Sequence, residues 1–160
     1  MALKVPQAVR ESVIGVWSEP VTYTVEHGAV LRFIRALNDE GPRYYGDGEQ
    51  GTASSDGLPV PPTFLCSLFA GPRKVDWENP YEGLLDAGVE WDFFENVRVG
   101  DRITVASRVT EMTDKQGRVG DMLLVTTEFR YTNQQGKLVA TQRNTLAWYE
   151  PKVAKTSRLR

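Results

Sequence analysis

The 160-residue chain carries 19 basic and 21 acidic side chains, one histidine and one cysteine, for a net charge of −2. These numbers fit a single domain, expected over residues 1–150, which buries roughly 70% of its unfolded surface and needs neither disulfide nor metal to fold. Interspersed charge excludes the basic stripe of a nucleic-acid binder. No apolar run reaches the roughly 18 residues of a membrane helix, and MALKVPQAVRES lacks the apolar segment of a signal peptide, so a soluble cytoplasmic protein is expected.

Along the chain, the first periodic segment starts at Thr24. Val30, Phe33, Ile34 and Leu37 recur at helical spacing with polar residues between them, and Gly41-Pro42 stops the helix, because the residue before proline is driven from the α region. The glycine-rich, acidic stretch Tyr45 to Val60 follows, long enough to be either a functional lid or plain surface disorder. Pro61-Pro62-Thr63 opens a short segment, FLCSLFAG, with Thr63 as the expected N-cap. Its residues are apolar nearly all round, which predicts an enclosed helix with Cys66 as a small buried hydrophobe rather than a nucleophile.

From Val89 the period becomes two. Val89, Trp91 and Phe93 alternate with Glu90 and Asp92, and a second strand starts at Ile103 after the Gly100-Asp101 turn. DKQGRVGD is expected as a hairpin loop, Met122 to Thr132 as a third strand, NQQG as a turn and Leu138 to Tyr149 as a fourth strand. Consecutive hairpins give an antiparallel sheet, and the most economical α+β architecture curls that sheet around one apolar helix. Residues 151–160 form a basic tail, expected to be solvated.

The order of LNDEGP at a helix end, PPTFL opening a buried segment, VRVGDRITV and TNQQGKLVATQRNTLAWY resembles the MaoC-like dehydratases, in particular their N-terminal-type domain. The resemblance spans nearly the whole chain. It implies a single hot-dog fold, assembly as a homo- or heterodimer, and hydration of trans-2-enoyl thioesters of CoA or acyl carrier protein in fatty acid metabolism, or the reverse dehydration. The sequence has no Cys/His cluster for a metal, and no cofactor is expected.

In catalytic relatives the motif reads Asp-x-Asn-Pro-x-His. Carried onto this chain, the aspartate is Asp39 and the proline Pro42, while Gly41 takes the asparagine position and Tyr44 the histidine position. Hydration needs a group that deprotonates water, a proton for the α-carbon and donors for the enolate-like oxygen. A tyrosine titrates ordinarily at about 10, so it is protonated at neutral pH and is a poor base. The acid-base motif therefore reads as disabled. The lone histidine, His27, belongs to the first turn of the helix and is expected as a solvated helix-end side chain. It lies about ten residues from Asp39, on the order of 15 Å along the axis.

Backbone N–H groups around Thr63 and Phe64, at the start of the buried segment, offer a site for developing negative charge. Pro62, Thr63, Phe64 and Tyr45 are therefore the expected substrate-binding residues, with the Thr63 hydroxyl either capping the helix or contacting substrate. Three functions stay open. The first is the substrate-binding half of a heteromeric hydratase, a lyase only in complex with a second hot-dog subunit that carries Asp and His. The second is a self-sufficient homodimer using Asp39 with Tyr44 or a loop carboxylate (Glu40, Asp47, Glu49). The third is a non-catalytic acyl-CoA-binding protein.

Overall fold

The computed structural model describes residues 4–39, 57–71, 78–117 and 120–150. Its elements are α1 (Gln7–Val13), β1 (Val21–Thr24), α2 (His27–Ala36), a 3-10 helix (Pro62–Ser67), β2 (Gly83–Phe93), β3 (Arg102–Gly117), β4 (Gly120–Thr132) and β5 (Leu138–Tyr149). The five strands form one antiparallel sheet in the order β1-β3-β4-β5-β2. This is the α+β arrangement expected from the sequence.

The period-two alternation becomes face selection in the sheet. In β3, Ile103, Val105, Ser107 and Val109 point inward and are buried. The register sets Val105 opposite Tyr131, and Tyr131 opposite Ala140. The Gly100-Asp101 turn works as the sequence suggests. Gly100 takes φ +91°, and the Asp101 carboxylate accepts from the Arg98 N–H at 2.8 Å and from the Gln134 side chain at 2.8 Å. β5 has the expected bounds.

Three expectations about the strands are corrected. DKQGRVGD is not a loop in its entirety, because the β3–β4 ladder continues to the pair Gly117↔Gly120. β2 begins at Gly83 rather than Val89, its period broken by a bulge between Asp86 and Gly88, where Gly88 has φ +131°. Thr24 is the end of a strand, and α2 starts at His27.

The main core joins Val30 and Ile34 of α2 to Phe64, Leu65 and Leu68 around the 3-10 helix, and to Ile103, Val105, Phe129, Tyr131 and Ala140 of the sheet. The enclosed element is therefore shared between α2 and FLCSLFAG, of which only FLCS is helical, as the end of the six-residue 3-10 helix Pro62–Ser67. Phe64, Leu65 and Leu68 are buried while Cys66 and Phe69 are exposed. Cys66 is thus not the buried hydrophobe expected of it.

A second cluster, Val5, Tyr81 and Leu123 with Val9, Met112, Val125 and Trp148 packed on it, seats the N-terminal segment and α1 on the other end of the sheet. Arg10 fixes α1 there. It is 7% exposed and donates to Asp114 at 2.6 Å and to the carbonyls of Met112 at 2.8 Å and Val5 at 3.3 Å.

Candidate functional site

α2 ends at Ala36, with Leu37 as its C-cap, and Asn38 adopts φ +55°. The Asn38 N–H donates to the Arg35 carbonyl at 3.1 Å, and the Asp39 N–H donates to the Ile34 carbonyl at 3.2 Å. Together these form a Schellman closure, which satisfies helix-end carbonyls and needs a residue that tolerates the left-handed region, as asparagine does. The helix thus stops before Gly41-Pro42 is reached, and Asp39 is the last residue of the closure, partly exposed. Tyr44 and Tyr45, with Glu40, Gly41, Pro42, Asp47, Glu49 and the tail 151–160, lie outside the described residues.

Of the long connection, Gly57 to Val60 is described. It runs along Val97–Val99, with the Gly57 N–H donating to the Val99 carbonyl, Val99 to Leu58, and Val60 to Val97, at 2.9–3.1 Å. The Arg98 guanidinium adds a 2.6 Å bond to the Gly57 carbonyl. These bonds deliver the chain to the 3-10 helix at a fixed place.

Pro61 is the N-cap of that helix and no side chain caps it. Thr63 is therefore inside the first turn and exposed rather than the cap expected. Pro62 is exposed and has no N–H. The Phe64 ring is 4% exposed and meets Phe33 edge-on at 5.5 Å, and its N–H donates to the Pro61 carbonyl at 2.8 Å. A six-residue 3-10 helix with one early N–H already engaged gives little of the anion-attracting end expected from the sequence.

What the start of this helix does line is a cleft of about 190 Å³, bounded by Val60, Pro62 and Leu65 on one side and by Phe93, Phe94 and Asn96 on the other. Beside it runs an aromatic row missed in the sequence. Phe93 stacks on Trp91 with ring centroids 5.4 Å apart and planes within 3°, and Trp91 meets Tyr131 at 5.3 Å. The Tyr131 hydroxyl donates to the Gln142 side-chain oxygen at 2.9 Å. Burial, then the neighbouring Cys66 and Tyr23, raises the Tyr131 pKa, so it stays a protonated donor. The sequence signal for this row was strand parity. Trp91 shares a face with Phe93, and Tyr131 with Phe129, but pairing β2 with β5 was needed to bring Trp91 and Tyr131 together.

His27 is the first residue of α2, as expected, but it is half-buried rather than fully solvated: its Nε2 is enclosed and, among the described residues, has no hydrogen-bond partner. Among the described residues no group of three His, Cys, Asp or Glu side chains could hold a metal. No described helix is long and apolar enough to cross a membrane.

The FAS1-like, dehydratase domain region family model matches residues 12–142, and the chain belongs to that family. No curated protein matches it by sequence. Among solved structures it is similar to a chain of the ChsH1–ChsH2 complex from Mycobacterium tuberculosis, at 15% identity and TM-score 0.67, covering 87% of both chains. It is similar to a chain of the HadBC (3R-hydroxyacyl-ACP dehydratase) complex from the same organism, at 23% identity and TM-score 0.64, covering 84% of this chain and 96% of that one. A MaoC-like dehydratase from Rhodospirillum rubrum aligns at 20% identity and TM-score 0.61, covering 91% of this chain and 98% of the other. The fold is the hot-dog fold of the MaoC-like dehydratases.

Proposed function

We propose that this chain is the substrate-binding half of a two-chain acyl-thioester hydratase or dehydratase, and that a hot-dog partner supplies the catalytic Asp and His. The observation that carries this reading is Tyr44 at the histidine position of a chain that belongs to a dehydratase family. Two of the structures it resembles are complexes of two different chains, one described as a 3R-hydroxyacyl-ACP dehydratase, which supports a partnered arrangement.

In this reading the partner's imidazole and carboxylate share the water that adds to the β-carbon of the enoyl thioester, and return the proton to the α-carbon. This chain contributes shape. Val60, Leu65, Phe93 and Phe94 offer apolar walls to the acyl group, and Asp39 and Tyr44 orient the thioester end without acting as base. Tyr45, Pro62 and Thr63 border the thioester. The carrier is CoA or acyl carrier protein.

The test is co-expression with a hot-dog chain that contains Asp-x-Asn-Pro-x-His, followed by enoyl-CoA hydration assays. Activity is expected only when both chains are present. Asp→Asn in the partner's motif is expected to lower kcat by about 10²–10⁴-fold, while Asp39→Asn here costs less than tenfold. A larger loss from Asp39→Asn than from the partner's substitution would overturn the two-chain reading.

A further inference from the structure

β5 carries a polar side chain where the alternation of the sheet calls for an apolar one. On the core face the register sets Gln142 between Trp91 of β2 and Phe129 of β4. Tyr131 closes the row diagonally, its ring 5.3 Å from that of Trp91, and Phe69 stands 5.7 Å from Phe129. Gln142 is thus a half-buried amide among aromatic rings.

Tyr131 fixes which way that amide points. The hydroxyl donates to Gln142 Oε1 at 2.9 Å, a better bond than its 3.5 Å approach to the Leu68 carbonyl. An amide whose oxygen is engaged in this way turns its nitrogen, with two N–H groups, in the other direction. No described residue accepts from that nitrogen. A donor pair held among rings without an acceptor costs free energy on burial. Aromatic walls with one oriented polar group are also the ordinary composition of a small-molecule site.

Phe93 connects this amide to the cleft. Its ring lines the cleft and stacks on Trp91 at 5.4 Å. Gln142 lies one strand across and two residues along from Phe93. That is on the order of 8 Å, at a strand spacing of about 4.8 Å and a rise of about 3.3 Å per residue. An acyl group seated against Val60, Leu65 and Phe93 has the amide within reach of its far end. A plain alkyl end leaves both N–H groups unpaired, whereas a keto or hydroxyl oxygen accepts from one of them.

Resting on the acyl-binding reading above, we propose that Gln142 is a specificity-determining residue: its Nε2 donates to an oxygen on the acyl group away from the thioester, so that the chain favours oxygenated acyl groups over plain alkyl ones. The test is isothermal titration of the purified chain with hexanoyl-, 4-oxohexanoyl- and 5-oxohexanoyl-CoA. Wild type is expected to bind at least one oxo ester about tenfold more tightly than the hexanoyl ester, the order expected when one hydrogen bond replaces an unpaired donor. Gln142→Met removes the N–H pair at similar size and is expected to bind all three esters equally. Should that variant fail to fold, Gln142→Glu keeps an oxygen for the Tyr131 hydroxyl, has no N–H, and carries the same test.

Equal binding of the three esters by wild type overturns the proposal and leaves the acyl-binding reading standing. An oxo preference that survives in the variant overturns it too. So does a variant that loses affinity for all three alike, because the amide then serves the thioester or CoA portion they share. Binding of none of the three removes the acyl-binding reading, and the proposal with it.

Discussion

Tyr131 shows how one residue links the core to the cleft. Its ring is 1% exposed between Trp91 and the 3-10 helix, and its hydroxyl reaches Gln142. Removing that hydroxyl leaves the Gln142 oxygen without its donor inside a low-dielectric region. Tyr131→Phe is expected to cost about 1–2 kcal/mol in urea unfolding, with the unfolding slope unchanged. Arg10 works on a similar principle with larger stakes, because its guanidinium is the only described cation at Asp114. Breaking a buried pair from one side strands the other charge, so Arg10→Ala should cost about 3–5 kcal/mol. Calorimetry of the two variants would show the Arg10 change lowering Tm further than the Tyr131 change.

At the scale of elements, the β3–β4 pair is stitched on its outer face by Glu128. The carboxylate accepts from Arg108 at 2.8 Å and from Arg130 at 3.1 Å, and both guanidiniums also lie 4.7 Å from the Trp17 ring centre. Burial pushes the Glu128 pKa up, but the hydrogen bonds and charges of Arg108 and Arg130 outweigh it and hold the group below its ordinary value of 4.5. The folded pKa is depressed, so this contribution is present above pH 4.5 and is lost as pH falls through the folded value. Glu128→Gln should therefore flatten the fall in stability below pH 4.5 while lowering stability at neutral pH, as followed by thermal melts across that range.

The same scale explains what the sequence disclosed. Period-two segments with clear turn residues between them, such as Leu138 to Tyr149, were legible because alternation and turn chemistry are local. α2 was misjudged at its start because Thr24 and the residues before it pair with β3, a contact more than seventy positions away. The first half of β2 was missed because a bulge breaks its period. FLCSLFAG was expected as a buried helix because its composition is apolar all round. Burial of only one side of it, with Cys66 and Phe69 outside, depends on where α2 and the sheet leave room.

At the scale of the whole molecule, the fold and the family were legible in the order of the sequence motifs. The family match over residues 12–142 and the five-stranded antiparallel sheet bear them out, whereas the approach of the 3-10 helix to the cleft follows from structure. Asp39 was legible as a helix-end residue, and the Schellman closure accounts for its position. The roles of Tyr44 and Tyr45 belong to the proposal, since neither lies among the described residues. The central claim is that this chain binds an acyl thioester and leaves the acid-base chemistry to a partner.

The most direct test is the hydration of a trans-2-enoyl-CoA by the purified chain alone, followed as loss of the conjugated enoyl absorbance. The expected rate is no higher than the uncatalysed background. Robust turnover that disappears in Asp39→Asn would contradict the claim and make Asp39 the base of a self-sufficient enzyme.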